Sequence, residues 1–301
     1  MPDYAKTVSP VISVIIVTYN SEKFIRPCLG SVMKQGYAGS EIIIVDNGSR
    51  DRTIGIIKDD FPDGITLIEN TSNLGAAEAR NQGIMLAKGE WILVLDCDTV
   101  LEDNFLSSIV KIIGRLPYKV GMLQPKIQDL DKKTIYSCGI YLSWSRKFYD
   151  IGSQKYDRGQ FNRPREILGP CSAAAFYRRK MLEEVKEDTG YFDRRFFFLV
   201  EDVDLAWRAR RQSWECLLVP EALCYHAGNS SGIGRKYRQY LSWRNRYFAI
   251  RKNERILRYA CKILPVLFYD LPRLFYLGIT NRFVRNSIFK TPGATNPFPE
   301  R

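Results

Sequence analysis

The chain has 301 residues, 45% hydrophobic and 26% charged, the balance of a soluble globular protein with ample core. Seven cysteines without a C-x-x-C pair exclude a redox motif and an even disulfide framework, and point to a reduced, cytosolic thiol set. The net charge is +12, but the last 71 residues hold 15 Lys/Arg against Glu254, Asp270 and Glu300, so residues 1–230 are neutral as a group. That shift places a domain boundary near Ser230 to Gly234 and divides the chain into 1–230 and 231–301. The polar opening, Met1 to Pro10, does not read as a signal peptide, and no apolar run reaches the ~18 residues of a bilayer span.

The β-branched run at 11–17 is a predicted strand that ends in Thr18-Tyr19-Asn20, and a helical pattern follows to about Gln35. Residues 41–45 form a second strand, ending at Asp46-Asn47-Gly48-Ser49, with a helix to about Asp59. A third strand at 65–68 leads to a helix from Gly75 to about Ala87, and a fourth at 91–95 stops at Asp96-Cys97-Asp98. Continuous apolar runs alternating with helices imply a mostly parallel α/β sheet covered on both faces. Right-handed crossovers bring the strand ends to one rim, where ligands of open α/β sheets bind. Thr18, Tyr19, Asn20, Asp46, Asn47, Asp96 and Asp98 therefore share one predicted cleft. Paired carboxylates one residue apart suit a hard divalent cation that also holds phosphate oxygens; a solvated strand end would read the same way. A dinucleotide fold would need G-x-G-x-x-G after the first strand, where Thr18-Tyr19-Asn20-Ser21-Glu22 has no glycine, and no Walker A loop is present.

Taken in order, Val14-Ile15-Ile16-Val17-Thr18-Tyr19-Asn20, Ile44-Val45-Asp46-Asn47-Gly48-Ser49, Asn73-Leu74-Gly75, Ala79-Arg80-Asn81 and Asp96-Cys97-Asp98 resemble the nucleotide-binding half of a family 2 glycosyltransferase with the GT-A fold. Gly190-Tyr191-Phe192-Asp193, Glu201-Asp202-Val203-Asp204 and Val219-Pro220-Glu221-Ala222 before His226 are similar to the acceptor half of bacterial, rhamnosyltransferase-like members that build surface polysaccharides. The resemblance covers residues 11–250, with a nucleotide-sugar half at about 1–100 and an acceptor half at about 101–230.

The resemblance implies an inverting hexosyl or deoxyhexosyl transfer from a nucleoside-diphosphate sugar (UDP or dTDP) to a hydroxyl of a glycan or lipid-linked acceptor. By position, Asp46 would bind base or ribose, with Thr18, Tyr19, Asn20, Asn47, Asn73 and Gly75 in the same pocket. Arg80 would face the diphosphate, although it reads equally well as a solvated helix arginine. Asp96, Cys97 and Asp98 would border the donor; Asp98 and His226, with Asp96, would hold a divalent metal, Mn²⁺ somewhat better than Mg²⁺. His226, placed after a predicted strand at 215–219, is the only histidine. Asp202, with Glu201 beside it, would be the general base; as an acid at a helix N-terminus it should stay ionised at pH 7 at some cost in basicity. Gly169, Cys171 and Ser172 offer small residues where the acceptor approaches Asp202, and apolar packing explains them nearly as well. Asp204 and Arg208 have the i,i+4 spacing of a structural pair.

The tail mixes Arg244, Arg246, Arg251, Lys252, Arg255 and Arg258 with Tyr240, Trp243, Tyr247, Phe248 and Tyr259. Basic and aromatic residues together suit the surface of an anionic membrane, and no nucleic-acid-binding motif accompanies them. A peripheral place on the inner face of the cell membrane is expected, with residues 291–301 disordered. The Q-x-x-R-W motif of processive synthases is missing: Gln239 and Trp243-Arg244 have the wrong spacing. A nucleotide-binding scaffold and a sugar nucleotidyltransferase remain as alternatives, the latter lacking a glycine-rich basic loop after the first strand.

Overall fold

Strand β1, Ile12–Thr18, is β-branched and buried on both faces, so it can sit only at the centre of a covered sheet. The structure is a computed structural model that describes residues 12–228, 232–254 and 263–289. Beside β1 lie β2 (Ser40–Asp46) and β4 (Trp91–Asp96), both parallel to it, and β3 (Ile65–Glu69) extends the sheet beyond β2. Helices α1 (Ile25–Met33), α2 (Thr53–Asp60) and α3 (Ala76–Leu86) make the crossovers.

On the other side of β4 the sheet becomes mixed. Strand β11 (Ala174–Arg178) runs antiparallel between β4 and β6 (Val120–Asp129). Strand β12 (Glu215–His226) is parallel to β6 and carries β5 (Thr99–Leu101) and β10 (Arg165–Ile167) as antiparallel partners. With β7 (Ile135–Ser137) on β6, ten strands form one sheet; β8 (Ile140–Leu142) and β9 (Phe148–Asp150) pair as a separate hairpin. Alternate side chains of β1 feed two cores: Val14 and Ile16 pack with Leu29 of α1, whereas Ile15 packs with Ala77 and Ile84 of α3. Helix α4 (Phe105–Ile113) joins the first core; α5 (Arg179–Val185) and α6 (Glu201–Arg211) cover the second.

One boundary differs from the sequence expectation. The strand from Glu215 does not stop at Val219 but continues to His226, which is its last residue rather than a residue beyond it. A register shift between Val219 and Leu223 absorbs Pro220, which cannot donate to a ladder, and pairing resumes beyond it.

The chain divides into two compact units, Met1–Ser231 and Gly232–Arg301. In the second, α7 (Arg235–Asn253) carries Arg246, whose guanidinium is buried and ion-paired with buried Asp270 at 2.7 Å. Helix Leu271–Thr280 follows, after a π turn at Val266–Asp270, and Arg282–Phe289 closes the described part. Among the described residues no helix is long and apolar enough to cross a membrane. Arg255, Arg258, Tyr259 and the expected disorder of 291–301 lie outside the described residues.

Candidate active site

Parallel register aligns the carboxyl ends of the central strands: Thr18 stands opposite Asp46, and Val17 opposite Asp96. Asp46 is fully buried, and its carboxylate accepts from Thr18 Oγ1 (2.8 Å), Ser49 Oγ (2.5 Å) and the backbone N–H groups of Gly48 and Ser49. Four donors fill the usual capacity of a carboxylate, so Asp46 shapes this rim, and a ribose hydroxyl would have to displace one of them. Exposed Asn20 ties the first loop to the second: its N–H donates to Ser49 and its side chain accepts from Arg50 N. Tyr19, half-buried, lies in the same turn. Asn47 donates to Asn73 Oδ1 (3.0 Å) and to the Gly75 carbonyl, and accepts from Leu74 N. Gly75 has φ +89°, and a Cβ there would lie 2.6 Å from Phe197, so only glycine fits.

At the end of β4 the three predicted metal ligands meet. His226 Nε2 lies 3.0 Å from Asp98 Oδ1 and 3.8 Å from Asp96 Oδ2. One ligand atom from each residue falls within 4.8 Å of the others. Burial alone would lower the His226 pKa, but the hydrogen bond and charge of Asp98, then the charges of Asp96 and Asp129, raise it above its ordinary value. A buried imidazole drawn toward the proton by two carboxylates marks a site of strong negative potential, and a divalent cation is held by the same groups in competition with that proton. The donor set, two carboxylates and one imidazole around a common point, therefore fits a divalent cation. The Tyr136 ring meets the imidazole edge-on with 4.3 Å between centroids.

Arg80 is not a solvated helix arginine. It is buried, donates to Asp96 Oδ1 at 2.9 Å, and forms a short ion pair with Glu201. It thus ties the end of β4 to the start of α6. Three non-glycine residues before that helix, Phe197, Leu199 and Val200, have φ of 66°, 71° and 75°. Each such residue stores about 1–3 kcal/mol of strain, a feature that concentrates at functional sites. Gly169 packs on the same helix: a Cβ would lie 2.1 Å from that of Ala206, so glycine lets the 169–172 segment reach α6. As a result Ser172 N–H donates to Asp202 Oδ2 at 3.1 Å, while Val203 N–H holds Oδ1 at 2.8 Å.

Burial raises the pKa of Asp202 above the usual carboxylate value, against the lowering effects of the Ser172 N–H, Arg80 and the Val203 N–H. Glu201 is also raised, by burial and by the charge of Asp202, with Arg80 opposing. This corrects the expectation that the helix N-terminus weakens Asp202 as a base: desolvation outweighs the helix end, which contributes only ~0.3–1 kcal/mol. Asp204 and Arg208 pair at 2.9 Å inside α6.

Cys97 is buried, shares a 3.0 Å hydrogen bond with Ser21 Oγ, and its thiol is pushed up to about 12 by burial, so it is no nucleophile. Several site neighbours escaped the sequence reading. Gln124 accepts from Cys171 N–H at 2.6 Å, Tyr136 faces His226, and Asp150 faces the Cys171 thiol. Asp150 ends a strand as Asp96 does, but a three-residue strand is too short for any period to reveal it.

Over residues 13–186 the chain matches the family described as Glycosyl transferase family 2. Poly-beta-1,6-N-acetyl-D-glucosamine synthase of Staphylococcus epidermidis is 26% identical over 239 residues, which are 77% of this chain and 53% of the synthase. Glycosyltransferase GlyG of Streptococcus pneumoniae is 36% identical over 104 residues, 34% of each chain. The chain thus spans between about a third and just over half of the length of these relatives. Its fold is that of the S. aureus TarS 1–349 structure in complex with UDP-GlcNAc (TM-score 0.56, 18% identity, 93% of this chain and 76% of that one). The mannosyltransferase PcManGT from Pyrobaculum calidifontis, in complex with GDP-Man and Mn²⁺, is similar as well (TM-score 0.57, 19% identity, 82% and 64%). With this match across more than half of its length, on a GT-A fold, the chain belongs to glycosyl transferase family 2.

Proposed function

We propose that the chain transfers a hexosyl or deoxyhexosyl group from a nucleoside-diphosphate sugar to a hydroxyl of a glycan or lipid-linked acceptor, with inversion. The observation that carries this reading is the meeting at one rim of the Asp96/Asp98/His226 cluster and a second acid, Asp202, raised toward basicity. Asp98, His226 and Asp96 would hold Mn²⁺ or Mg²⁺. A divalent cation bound there supplies positive charge to the leaving diphosphate.

Asp202 accepts the proton of the acceptor hydroxyl as that oxygen bonds to the anomeric carbon. The bond from that carbon to the diphosphate oxygen breaks, and its electron pair leaves with the diphosphate. Attack from the face opposite the diphosphate inverts the anomeric centre. The Ser172 and Val203 N–H groups orient the Asp202 carboxylate for this proton transfer. Arg80, fixed between Asp96 and Glu201, offers its charge to the diphosphate side of the same cleft. The donor pocket is assigned to the loops of Thr18 to Asn20, Asp46 and Asn47, and Asn73 to Gly75, bordered by Cys97; the acceptor is assigned to Gly169, Cys171 and Ser172. Nucleotide-sugar ligands in the two structural neighbours, and a polysaccharide synthase among the relatives, support this reading. The motifs of residues 190–226 are what favour the rhamnosyltransferase-like, surface-polysaccharide subgroup.

The test is a thermal-shift panel of UDP, dTDP, GDP and CDP, each with and without Mn²⁺. A nucleotide at about 100 times its Kd adds ~2.7 kcal/mol of stability. A metal-dependent shift with one nucleotide is expected; no shift with any would remove the transferase reading and leave a scaffold.

The second unit is proposed to rest on an anionic membrane surface on the cytoplasmic side. Leu264, Phe268, Leu271, Phe275 and Ile279 are exposed at spacings of three and four, with Phe268 78% and Phe275 73% exposed, in a unit whose 15 Lys/Arg stand against Glu254, Asp270 and Glu300. The 301-residue chain should float with liposomes containing phosphatidylglycerol, and the same chain with Phe268→Asp and Phe275→Asp should stay at the bottom of the gradient. Equal flotation of the two would remove this surface from the proposal.

A further inference from the structure

Asp150 lies outside the three-residue cluster that would hold a cation and outside the Arg80–Glu201 pair, yet it is in the same cleft. It ends β9, which pairs with β8 so that Ile140 stands opposite Asp150. The hairpin is tied to the acceptor segment by Ile140 N–H donating to the Gly169 carbonyl at 2.8 Å. It is also tied to the helix of Asp202: Phe148 meets the Trp207 ring edge-on at 6.3 Å, and the Arg146 guanidinium lies 5.5 Å above that ring. The position of Asp150 relative to Asp202 is therefore set by packing rather than left to a loose loop.

The surroundings of its carboxylate are those of a cleft wall. Asp150 is exposed to solvent, yet the protein around it desolvates it enough to raise its carboxyl to about 6, with the charge of Asp202 adding to the rise. Ser137 Oγ donates to Oδ1 at 2.8 Å, and the Cys171 thiol acts on the same carboxyl, lowering its pKa. An ionised carboxylate has about four acceptor positions, so these two leave capacity on the solvent side. Two consecutive residues of one turn thus address two different acids: Cys171 the carboxylate of Asp150, Ser172 that of Asp202. Both acids thus border the segment from Gly169 to Ser172, Asp202 through the Ser172 N–H and Asp150 through Ile140, which pairs with it and donates to the Gly169 carbonyl.

We propose that Asp150 is an acceptor-binding residue, whose carboxylate accepts hydrogen bonds from hydroxyls of the acceptor sugar and so presents the attacking hydroxyl to Asp202. The chemistry selected is a polyhydroxylated acceptor with at least one free hydroxyl beside the one that reacts. This inference rests on the transfer reading above. Loss of a hydrogen bond to a charged group weakens binding by about tenfold or more.

The experiment measures nucleotide release by the full chain with Mn²⁺, using UDP-, dTDP- and GDP-sugars. Release is followed without acceptor and with a panel of p-nitrophenyl glycosides, and the fastest donor and acceptor pair is used for kinetics. Asp150→Asn, an isosteric change at an exposed site, should raise the KM for the glycoside by about tenfold while kcat changes less than roughly threefold. Donor hydrolysis without acceptor should stay as in the unmodified chain, and the melting temperature should not fall, since the amide removes a charge that the surrounding protein disfavours. An unchanged KM for the glycoside overturns the inference alone. So does an equal loss of acceptor-free hydrolysis, which would move Asp150 to the donor side. If the unmodified chain releases nucleotide from no donor, the transfer reading itself falls, and this inference with it.

Discussion

The two sides of the cleft use their carboxylates in opposite ways. On the side proposed for the donor, Asp46 is fully buried and accepts four hydrogen bonds, all from its own rim: Thr18, Gly48 and Ser49. On the side proposed for the acceptor, Asp202 is held by two backbone N–H groups and Asp150 by the Ser137 hydroxyl, and both are raised by the protein around them. A carboxylate with a full set of internal donors is a fastening, since removing any partner strands a buried group. One with spare acceptor capacity and a raised pKa can take a proton or a hydroxyl from a substrate. The first kind stabilises the rim, and the second is the kind that the proposed transfer requires.

The largest effect that this contrast predicts is at Asp202. Asp202→Asn keeps the shape and removes the basic site, so transfer should fall by about 10²–10⁴-fold, measured as nucleotide release with acceptor, while the nucleotide-induced thermal shift persists. Loss of that shift instead would place Asp202 on the donor side and end the division. Asp46→Asn should behave in the reverse manner. An amide has one acceptor oxygen, so its NH₂ group is turned against Thr18, Ser49 or their backbone neighbours, at a cost of about 1–3 kcal/mol. For a domain of this size that lowers Tm by roughly 2–4 °C per kcal/mol. An Asp46→Asn protein with unchanged melting and abolished transfer would show that Asp46 serves the substrate, not the rim.

The same contrast explains what was legible in the sequence. Strands β1, β2 and β4 are continuous apolar runs, so their ends, and with them Thr18, Asp46, Asp96 and Asp98, could be placed on one rim by periodicity and crossover handedness alone. Residues 101–230 add short antiparallel strands to this frame: β7 to β10 have three residues each, too short for any period to register. Asp150 was therefore invisible, and β12 looked as if it ended at Pro220 because only pairing with β6 shows the irregularity that carries it to His226. The Arg80–Glu201 pair spans 121 positions in the chain, beyond the reach of local pattern. Burial is the other missing quantity. It moves Asp202 opposite to what a helix N-terminus does, and a sequence does not display it.

Arg80 gives the finest test of the division because it touches both sides. Its guanidinium lies between Asp96 and Glu201, and its charge lowers the pKa values of Glu201 and Asp202 against the burial that raises them. Arg80→Gln removes that opposition, so both acids move further up. The acid limb of transfer, where Asp202 gains a proton and ceases to be a base, should then shift to higher pH. Stability follows with a definite sign. An acid whose folded pKa lies above its unfolded value contributes stability that is full at low pH and is lost as pH rises through the folded value. The melting penalty of Arg80→Gln should accordingly be larger at pH 8 than at pH 5, because acids whose pKa values have moved up are ionised less, and repel less, at the lower pH. Melting curves of both proteins at the two pH values measure it. A penalty independent of pH would mean that Arg80 acts only through packing, its guanidinium lying 5.5 Å over the Phe192 ring, and that the charges of the two sides are not coupled through it.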